Sequence, residues 1–378
     1  MRFLHISDLH IGKRIYGIDL WEDQAHILDQ ICGMAQGEAC DAVLIAGDLY
    51  DRAQPSAQAI AMVDGFLSRL SQTGIPVYLV SGNHDNPAQI AYCAGILARG
   101  GIYAARVFDG ALQRFCLRDA YGPVNLYALP FVRPAQVRRF FPEAEIKSFE
   151  QAVRCILEAA DIPAGERNVL IAHQYVAGAR TCESEELSIG GAEQIPAELF
   201  EPFCYTALGH LHSPQALLGG RVRYSGSILK YSFDERRQQK GALLVDLGPG
   251  GELAVAERPF APLRDMREVR GTLAELAALP YSEDYIQAVI EDPVLPLDAR
   301  GTLRINFPNL LYLKLASAQG APAEGEEAAA FSEAKSPIEH FREFYRAQNP
   351  EQEWTEQKQA LALQALREAE EAACGQSL

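Results

Sequence analysis

The sequence predicts an α/β fold: a two-sheet β-sandwich flanked by helices, then a small α+β capping domain and C-terminal helices. Three observations carry this. Residues 2–80 run strand, helix, strand, helix, strand, which implies right-handed βαβ crossovers and a largely parallel sheet. After Tyr103 shorter apolar runs follow with one clear helix among them, enough for a second sheet. At ~100–200 residues per domain, the 378 residues allow two or three domains.

Arg2–Ile6 is a compact strand candidate ending at Ser7 and Asp8. Apolar residues at 20, 21, 27, 28, 31 and 34 give Leu20–Met34 a helical spacing. Ala42–Ala46 is a buried-type strand that ends at Gly47 and Asp48. Ser56 is the N-cap of a second helix to Leu70, with apolar positions at 60, 63, 66, 67 and 70. Val77–Val80 ends at Ser81 and Gly82. The second sheet draws on Arg114–Leu117, Val124–Leu129, Asn168–Ala172, Tyr205–Leu208, Arg221–Tyr224 and Ala242–Asp246, with a helix at about Ser148–Ala160.

Pro259 to Pro262 reads as a joint. Beyond it come a strand (Met266–Val269), a helix (Leu273–Ala278) and strands at Tyr285–Ile290 and Leu310–Leu315. Gly320 to Ala330 is rich in Ala, Glu and Gly and reads as a linker. Two amphipathic helices, 338–347 and 352–373, follow. Helices behind a flexible linker bury little by themselves, so they read as a docking element; packing back on their own domain is the alternative. The expected division is 1–260, 261–315, a linker at 316–336 and a helical segment at 337–378.

Hydrophobic residues are 48% and charged residues 22%, which excludes wholesale disorder. No apolar run reaches the ~18–20 residues of a membrane span, and Lys314 interrupts the strongest candidate. Asp8 comes before a signal-peptide apolar region can form, so a soluble, cytoplasmic protein is expected. The eight cysteines are scattered with no C-x-x-C pair, which argues against a zinc ribbon, a redox motif or a disulfide scaffold. The net charge of -16 is the wrong sign for a nucleic-acid protein. Residues 316–378 hold 5 basic and 12 acidic side chains, a net of -7, so the excess is spread along the chain. Any surface facing DNA must therefore be a local basic patch.

Five of the eight histidines lie in short clusters just after expected strands: Asp8-Leu9-His10, Gly47-Asp48 with Asp51, Asn83-His84-Asp85, His173, and His210-Leu211-His212. In open α/β sheets, loops at the carboxyl ends of strands converge on ligands. Each cluster alone has an ordinary explanation. Gly-Asp is commonly a turn, Gly-Asn-His-Asp reads as an Asx turn, and a lone histidine is more often structural. Together they offer carboxylates, an amide oxygen and imidazoles, a donor set that suits Mn, Fe or Zn. Seven donors exceed one tetrahedral zinc; they fit two metals ~3.5–4 Å apart with a shared carboxylate, as in phosphoryl displacement.

The order D-x-H, G-D-x-x-D, G-N-H-D, H, G-H-x-H resembles the calcineurin-like metallophosphoesterases. Asp8 to Lys13, Leu208 to His212, Tyr224 to Ser227 and Ser232 to Glu235 resemble more closely the nuclease subunits of double-strand-break repair, as do Ser184-Glu185 and Gly190-Gly191. The resemblance covers residues 1 to about 315 and implies one metal on Asp8, His10, Asp48 and His212. It implies a second on Asp48, Asn83, His173 and His210. His84 would sit beside the scissile phosphate and protonate the leaving oxygen, with Asp85 orienting its ring and Asp51 in support. It further implies manganese, 3′–5′ exonuclease action on duplex DNA and endonuclease action on single strands or hairpins. A homodimer is implied too, with terminal helices that bind the coiled coil of an ATPase.

For DNA contact, Lys13 and Arg14 are the best placed basic residues, since they follow a metal loop. Arg133 with Arg138 and Arg139, Arg221 with Arg223, and Arg236 and Arg237 with Lys240 are further basic spots, equally readable as solvated surface. The competing readings are a small-molecule phosphodiesterase of the same superfamily and a non-catalytic scaffold. The capping segment and docking helices weigh against the first, and the full donor set with His84 against the second.

Overall fold

The computed structural model describes residues 1–185 and 193–316, together with residues 342, 345, 354, 355, 358, 359, 361 and 362. The chain forms two compact units, Met1–Gln319 and Gly320–Leu378.

The first unit is built on two six-stranded sheets stacked face to face. In the first sheet Arg2–Ile6, Ala42–Ala46, Val77–Val80 and Ile102–Ala104 run parallel. Gly241–Leu247, expected in the second sheet, instead pairs antiparallel with Arg2–Ile6, whose edge opposite Ala42–Ala46 is open to it, and Leu253–Pro259 completes that edge. In the second sheet Gly122–Leu129, Asn168–His173, Tyr205–Gly209 and Val222–Tyr224 run parallel, with antiparallel strands Gln113–Asp119 and Gln215–Leu217 at the edges. The parallel strands are mostly apolar because both faces are covered, so they read as near-continuous runs rather than alternating ones.

Phe3, Leu44, Val80, Leu126, Ile171, Tyr205 and Val245 interdigitate between the sheets. Helices Trp21–Gly37 and Ala57–Gln72 lay Ile27, Leu28, Ile31, Val63 and Phe66 on the outer face of the first sheet. Helix Phe149–Ala159 lays Val153, Ile156 and Leu157 on the outer face of the second. Caps fix where these helices begin: Ser56 Oγ accepts the backbone N–H of Ala59 at 3.2 Å, and Ser148 forms a capping box with Gln151.

Residues 262–316 add a three-stranded sheet of Met266–Gly271, Tyr285–Ile290 and Leu310–Leu315, with helices Leu273–Ala277 and Ala299–Arg304. It has its own apolar centre of Leu276, Ile286, Ile290, Leu303 and Phe307, while Met266, Tyr285 and Leu311 join the core of the large sheet. All its pairings are parallel, so the expected α+β arrangement is instead a compact β-α-β-α-β unit. The cause is connectivity: a helix between successive strands returns the chain to the same end. The helix at Ala299–Arg304 is additional to those expected.

In the second unit the described residues 342, 345, 358, 359, 361 and 362 are helical. Tyr345 meets Trp354 edge-on at 5.3 Å, and Lys358 Nζ lies 4.8 Å from the Tyr345 ring centroid. The expected linker and most of the expected helices at 338–347 and 352–373 lie outside the described residues, as do Gly190 and Gly191. No helix among the described residues is long and apolar enough to cross a membrane.

Candidate metal centre

Because their strands run parallel, the loops after residues 6, 46, 80, 173 and 209 all leave at one edge of the sandwich. This edge gathers Asp8 and His10, Asp48, Asn83 and His84, His173, and His210 and His212. Backbone bonds hold the loops in register: Asp8 N–H donates to Gly47 O at 3.1 Å, and His10 N–H to Asp48 O at 3.0 Å. Asp8 Oδ1 accepts the N–H of His210 at 2.9 Å, which ties the two sheets together at the site.

Four of these residues sit in the left-handed region, Asp8 (φ 52°), His10 (44°), Asp48 (51°) and His210 (100°). A non-glycine φ above zero is uncommon, and its concentration at one edge marks loops turned sharply to aim side chains at a common point. Two glycines make room. A Cβ on Gly47 (φ +89°) would stand 2.3 Å from His173 Nδ1, and one on Gly82 would stand 2.0 Å from Asp48 Oδ1.

The donors form two adjoining groups around Asp48. Its Oδ2 is 3.7 Å from His10 Nε2 and 3.3 Å from His173 Nε2, and its Oδ1 accepts the backbone N–H of His84 at 2.9 Å. On one side, His10 and His212 bring their Nε2 atoms to 3.1 Å, and each offers a donor within 4.8 Å of Asp8. On the other, Asn83 Oδ1 lies 2.9 Å from both His173 Nε2 and His210 Nδ1. Asp8, Asp48 and His173 form a further set of mutually close donors.

The electrostatics fit cations. Burial opposes the charge of Asp48, but His173, His10 and His84 outweigh it and hold the carboxyl well below the usual range. Burial also works against a charged His173, yet Asp48 lifts it to about 9. That ring donates through Nδ1 to the carbonyl of Ala46 at 2.8 Å, so a second proton at Nε2 lies among the oxygens of Asp48 and Asn83, where a cation would replace it. Burial pushes His10 and His210 down to about 3, keeping them neutral as ligands must be. His10 Nδ1 and His210 Nε2 are buried without a hydrogen-bond partner, polar atoms that native interiors rarely leave so. Mixed carboxylate, amide and imidazole donors around one shared carboxylate suit two divalent ions.

His84 stands beside this set, its ring edge-on to His10 at 4.8 Å and its Nδ1 2.9 Å from the carbonyl of Asp51. Asp85 differs from the expectation that it orients the His84 ring. Its carboxylate accepts the backbone N–H groups of Leu49, Tyr50 and Gly82 at 3.2, 3.0 and 2.9 Å, knitting the Asp48 loop to the Asn83 loop. Burial, with Asp48 nearby, raises its carboxyl to about 6. Asp51 faces His10 Nδ1 at 3.6 Å and accepts Lys13 Nζ at 2.8 Å.

The basic residues divide. Lys13 is engaged with Asp51, and Arg14 pairs with Asp19 at 3.0 Å at the surface. Arg133 is exposed, and its guanidinium lies 5.9 Å from the Phe131 ring, which stacks on His210 at 6.3 Å. Lys240 is not a surface cation at all: it is buried and paired with Glu235 at 2.6 Å. In the sequence Ser184, Glu185 and Glu235 stand out only as parts of a resemblance; in the structure all three approach His212. Burial raises Glu185 to about 7 as it accepts the His212 N–H at 2.6 Å.

Comparison with known proteins gives the family. The calcineurin-like phosphoesterase family model matches residues 1–213, and the model described as the type 5 capsule protein repressor C-terminal domain matches residues 262–349. A curated relative, the SbcD component of the nuclease SbcCD of Staphylococcus epidermidis, is 31% identical over 321 residues, covering 83% of this chain and 85% of that protein. Among solved structures, a dimetal phosphatase from Danio rerio is 11% identical with a TM-score of 0.44, over 68% of this chain and 96% of the other. TT1561 of Thermus thermophilus is 14% identical with a TM-score of 0.40, over 68% and 98%. The chain belongs to the calcineurin-like phosphoesterase family of metal-dependent hydrolases and, within it, to the SbcD nucleases.

Proposed function

We propose that the protein is a dimetal DNA nuclease that works with an SbcC-type coiled-coil ATPase in DNA repair and recombination. The observation that carries this is the pair of donor groups sharing Asp48. In this reading Asp8, His10, Asp48 and His212 hold one divalent ion, and Asp48, Asn83, His173 and His210 the other. Two such ions, Mn²⁺ for preference, would when bound supply the positive charge that polarises a phosphate and lowers the pKa of water.

The protein's own residues do the rest. Water attacks phosphorus and releases one proton to solvent as its new P–O bond forms, the P–O bond to the leaving sugar oxygen breaks, and His84 gives that oxygen a proton. The carbonyl of Asp51 at 2.9 Å fixes the ring through Nδ1, which assigns Nε2 to the leaving oxygen. Asp85 serves this step indirectly, by holding the loops that carry Asp48 and His84. Arg133, exposed next to His210 across Phe131, is the best placed cation for a substrate phosphate, ahead of the engaged Lys13 and Arg14. In this reading, which rests on the resemblance to SbcD nucleases, the protein acts as a 3′–5′ exonuclease on duplex ends and an endonuclease on single strands or hairpins. The unit at 262–316 acts as the capping, DNA-facing element, and the terminal helices as the ATPase-binding segment of a homodimer at the nucleoid.

The test uses the full chain with Mn²⁺ on 3′- and 5′-end-labelled duplex DNA, with a chromogenic phosphodiester alongside. Stepwise degradation is expected, and His84→Gln should lower its rate ~10²–10⁴-fold while both ions stay bound. Turnover of the small diester with DNA untouched would refute the nuclease reading and support the small-molecule phosphodiesterase.

A further inference from the structure

One histidine of the metal centre is held by side chains that do not themselves face the metal positions. His212 Nδ1 lies 2.6 Å from Ser184 Oγ, which in turn lies 2.5 Å from Glu235 Oε1. Glu235 is fully buried; Lys240 Nζ at 2.6 Å and the Tyr231 N–H at 3.3 Å donate to it, and the hydroxyls of Ser232, shared with Asp234, and Ser227, shared with the Leu229 carbonyl, lie 2.8 and 3.4 Å away. A carboxylate facing an ammonium and a ring of donors can only accept. The Ser184 O–H must therefore point at Glu235, which leaves the Ser184 oxygen to accept from the imidazole. The His212 proton is thereby placed on Nδ1, and the lone pair of Nε2 is turned towards His10 Nε2 at 3.1 Å. The backbone of the same residue is gripped as well, its carbonyl by Lys240 Nζ at 2.7 Å and its N–H by Glu185 Oε1 at 2.6 Å.

We propose that Glu235, acting through Ser184, is a positioning residue that sets the tautomer of His212, with Lys240 fixing its backbone, so that Nε2 is presented to a divalent cation. The proposal rests on the dimetal reading of the site. It makes Lys240 part of the metal support rather than a DNA contact. It also gives the relay a direction. A glutamine at 235 can offer a donor to Ser184, whose O–H then turns to Nδ1 and shifts the imidazole proton to Nε2, where it blocks the cation.

The experiment titrates metal-free full-length protein with Mn²⁺ by calorimetry, for the wild type, Ser184→Ala, Ser184→Thr and Glu235→Gln. Nitrogen NMR of the imidazoles in the metal-free protein reads the His212 tautomer directly. The wild type is expected to bind two ions and to carry the His212 proton on Nδ1. Ser184→Ala should weaken one site ~10–100-fold and leave the other, and Ser184→Thr should restore it. Glu235→Gln should move the proton to Nε2, but it also leaves Lys240 unpaired, so Ser184→Ala, which alters no charge, is the deciding variant. Two sites of wild-type affinity in Ser184→Ala, or a wild-type His212 protonated on Nε2, would overturn the relay. A wild type that binds fewer than two ions would instead overturn the dimetal reading beneath it.

Discussion

Gly82→Ala puts a single methyl group against Asp48, the carboxylate proposed to be shared by the two ions. The new Cβ would stand 2.0 Å from Asp48 Oδ1 and 2.6 Å from the Asp48 backbone nitrogen. That is roughly 1 Å inside the limit of close packing, and the interior around Asp48 has no slack to absorb it. Either the loop lifts or Asp48 swings, and overpacking of this kind costs ~1–3 kcal/mol. At ~2–4 °C per kcal/mol the melting point should fall by about 2–12 °C. The functional loss should be larger and of a particular kind. Asp48 faces both His10, at 3.7 Å, and His173, at 3.3 Å, so both ions should be lost together rather than one. Metal stoichiometry after gel filtration, Mn²⁺ calorimetry and melting in EDTA are the readouts. Gly33→Ala is the control: it lies in a helix with nothing within 4 Å of its Cβ, and should gain ~0.5–1 kcal/mol. A Gly82→Ala protein that binds two ions with wild-type affinity would refute Asp48 as the shared ligand.

Two further predictions concern the substrate surface and pH. Arg133→Ala should leave metal binding and the melting point unchanged but reduce the salt-dependence slope of DNA binding by ~1; anisotropy across a KCl series reads it, and an unaltered slope would remove Arg133 from the interface. His5 bridges the sheets through Tyr205 Oη at 2.8 Å and the Leu208 carbonyl at 3.1 Å, and burial lowers it from 6.5 to about 3. The unfolded chain therefore takes up its proton first, so this stability is complete above pH 6.5 and is lost as pH falls towards 3. Between pH 7.5 and 5 the loss is ~2 kcal/mol. Urea unfolding of the metal-free protein against His5→Gln should show that difference, and a pH-independent gap would refute it.

Much of the centre is legible in the sequence because its residues are tied to strand ends. Parallel strands expose their carboxyl ends at one edge, so Asp8, Asp48, Asn83, His173 and His210 converge whatever the loops between them do. Asp85 is not legible in this way, because the sequence shows only that it follows His84. Nothing local says that its carboxylate turns back to the Leu49 and Tyr50 amides, 36 and 35 residues away. Lys240 has the look of a surface cation for a similar reason: a lysine beside glutamines is solvated unless a buried carboxylate waits for it.

The sequence by itself determined most of the strands, the helices that cover them and the gathering of candidate metal donors at strand ends, since apolar periodicity and strand-end polarity are local properties; which sheet receives Gly241–Leu247 was decided only by pairing across the fold. Tertiary structure alone decided the parallel form of the unit at 262–316, the role of Asp85, and the Glu235, Ser184 and Lys240 support behind His212. Those depend on which buried charge meets which donor across the interior. A hydrogen bond of ~2.5–3.2 Å between residues far apart in the chain leaves no period or spacing in the sequence to be read.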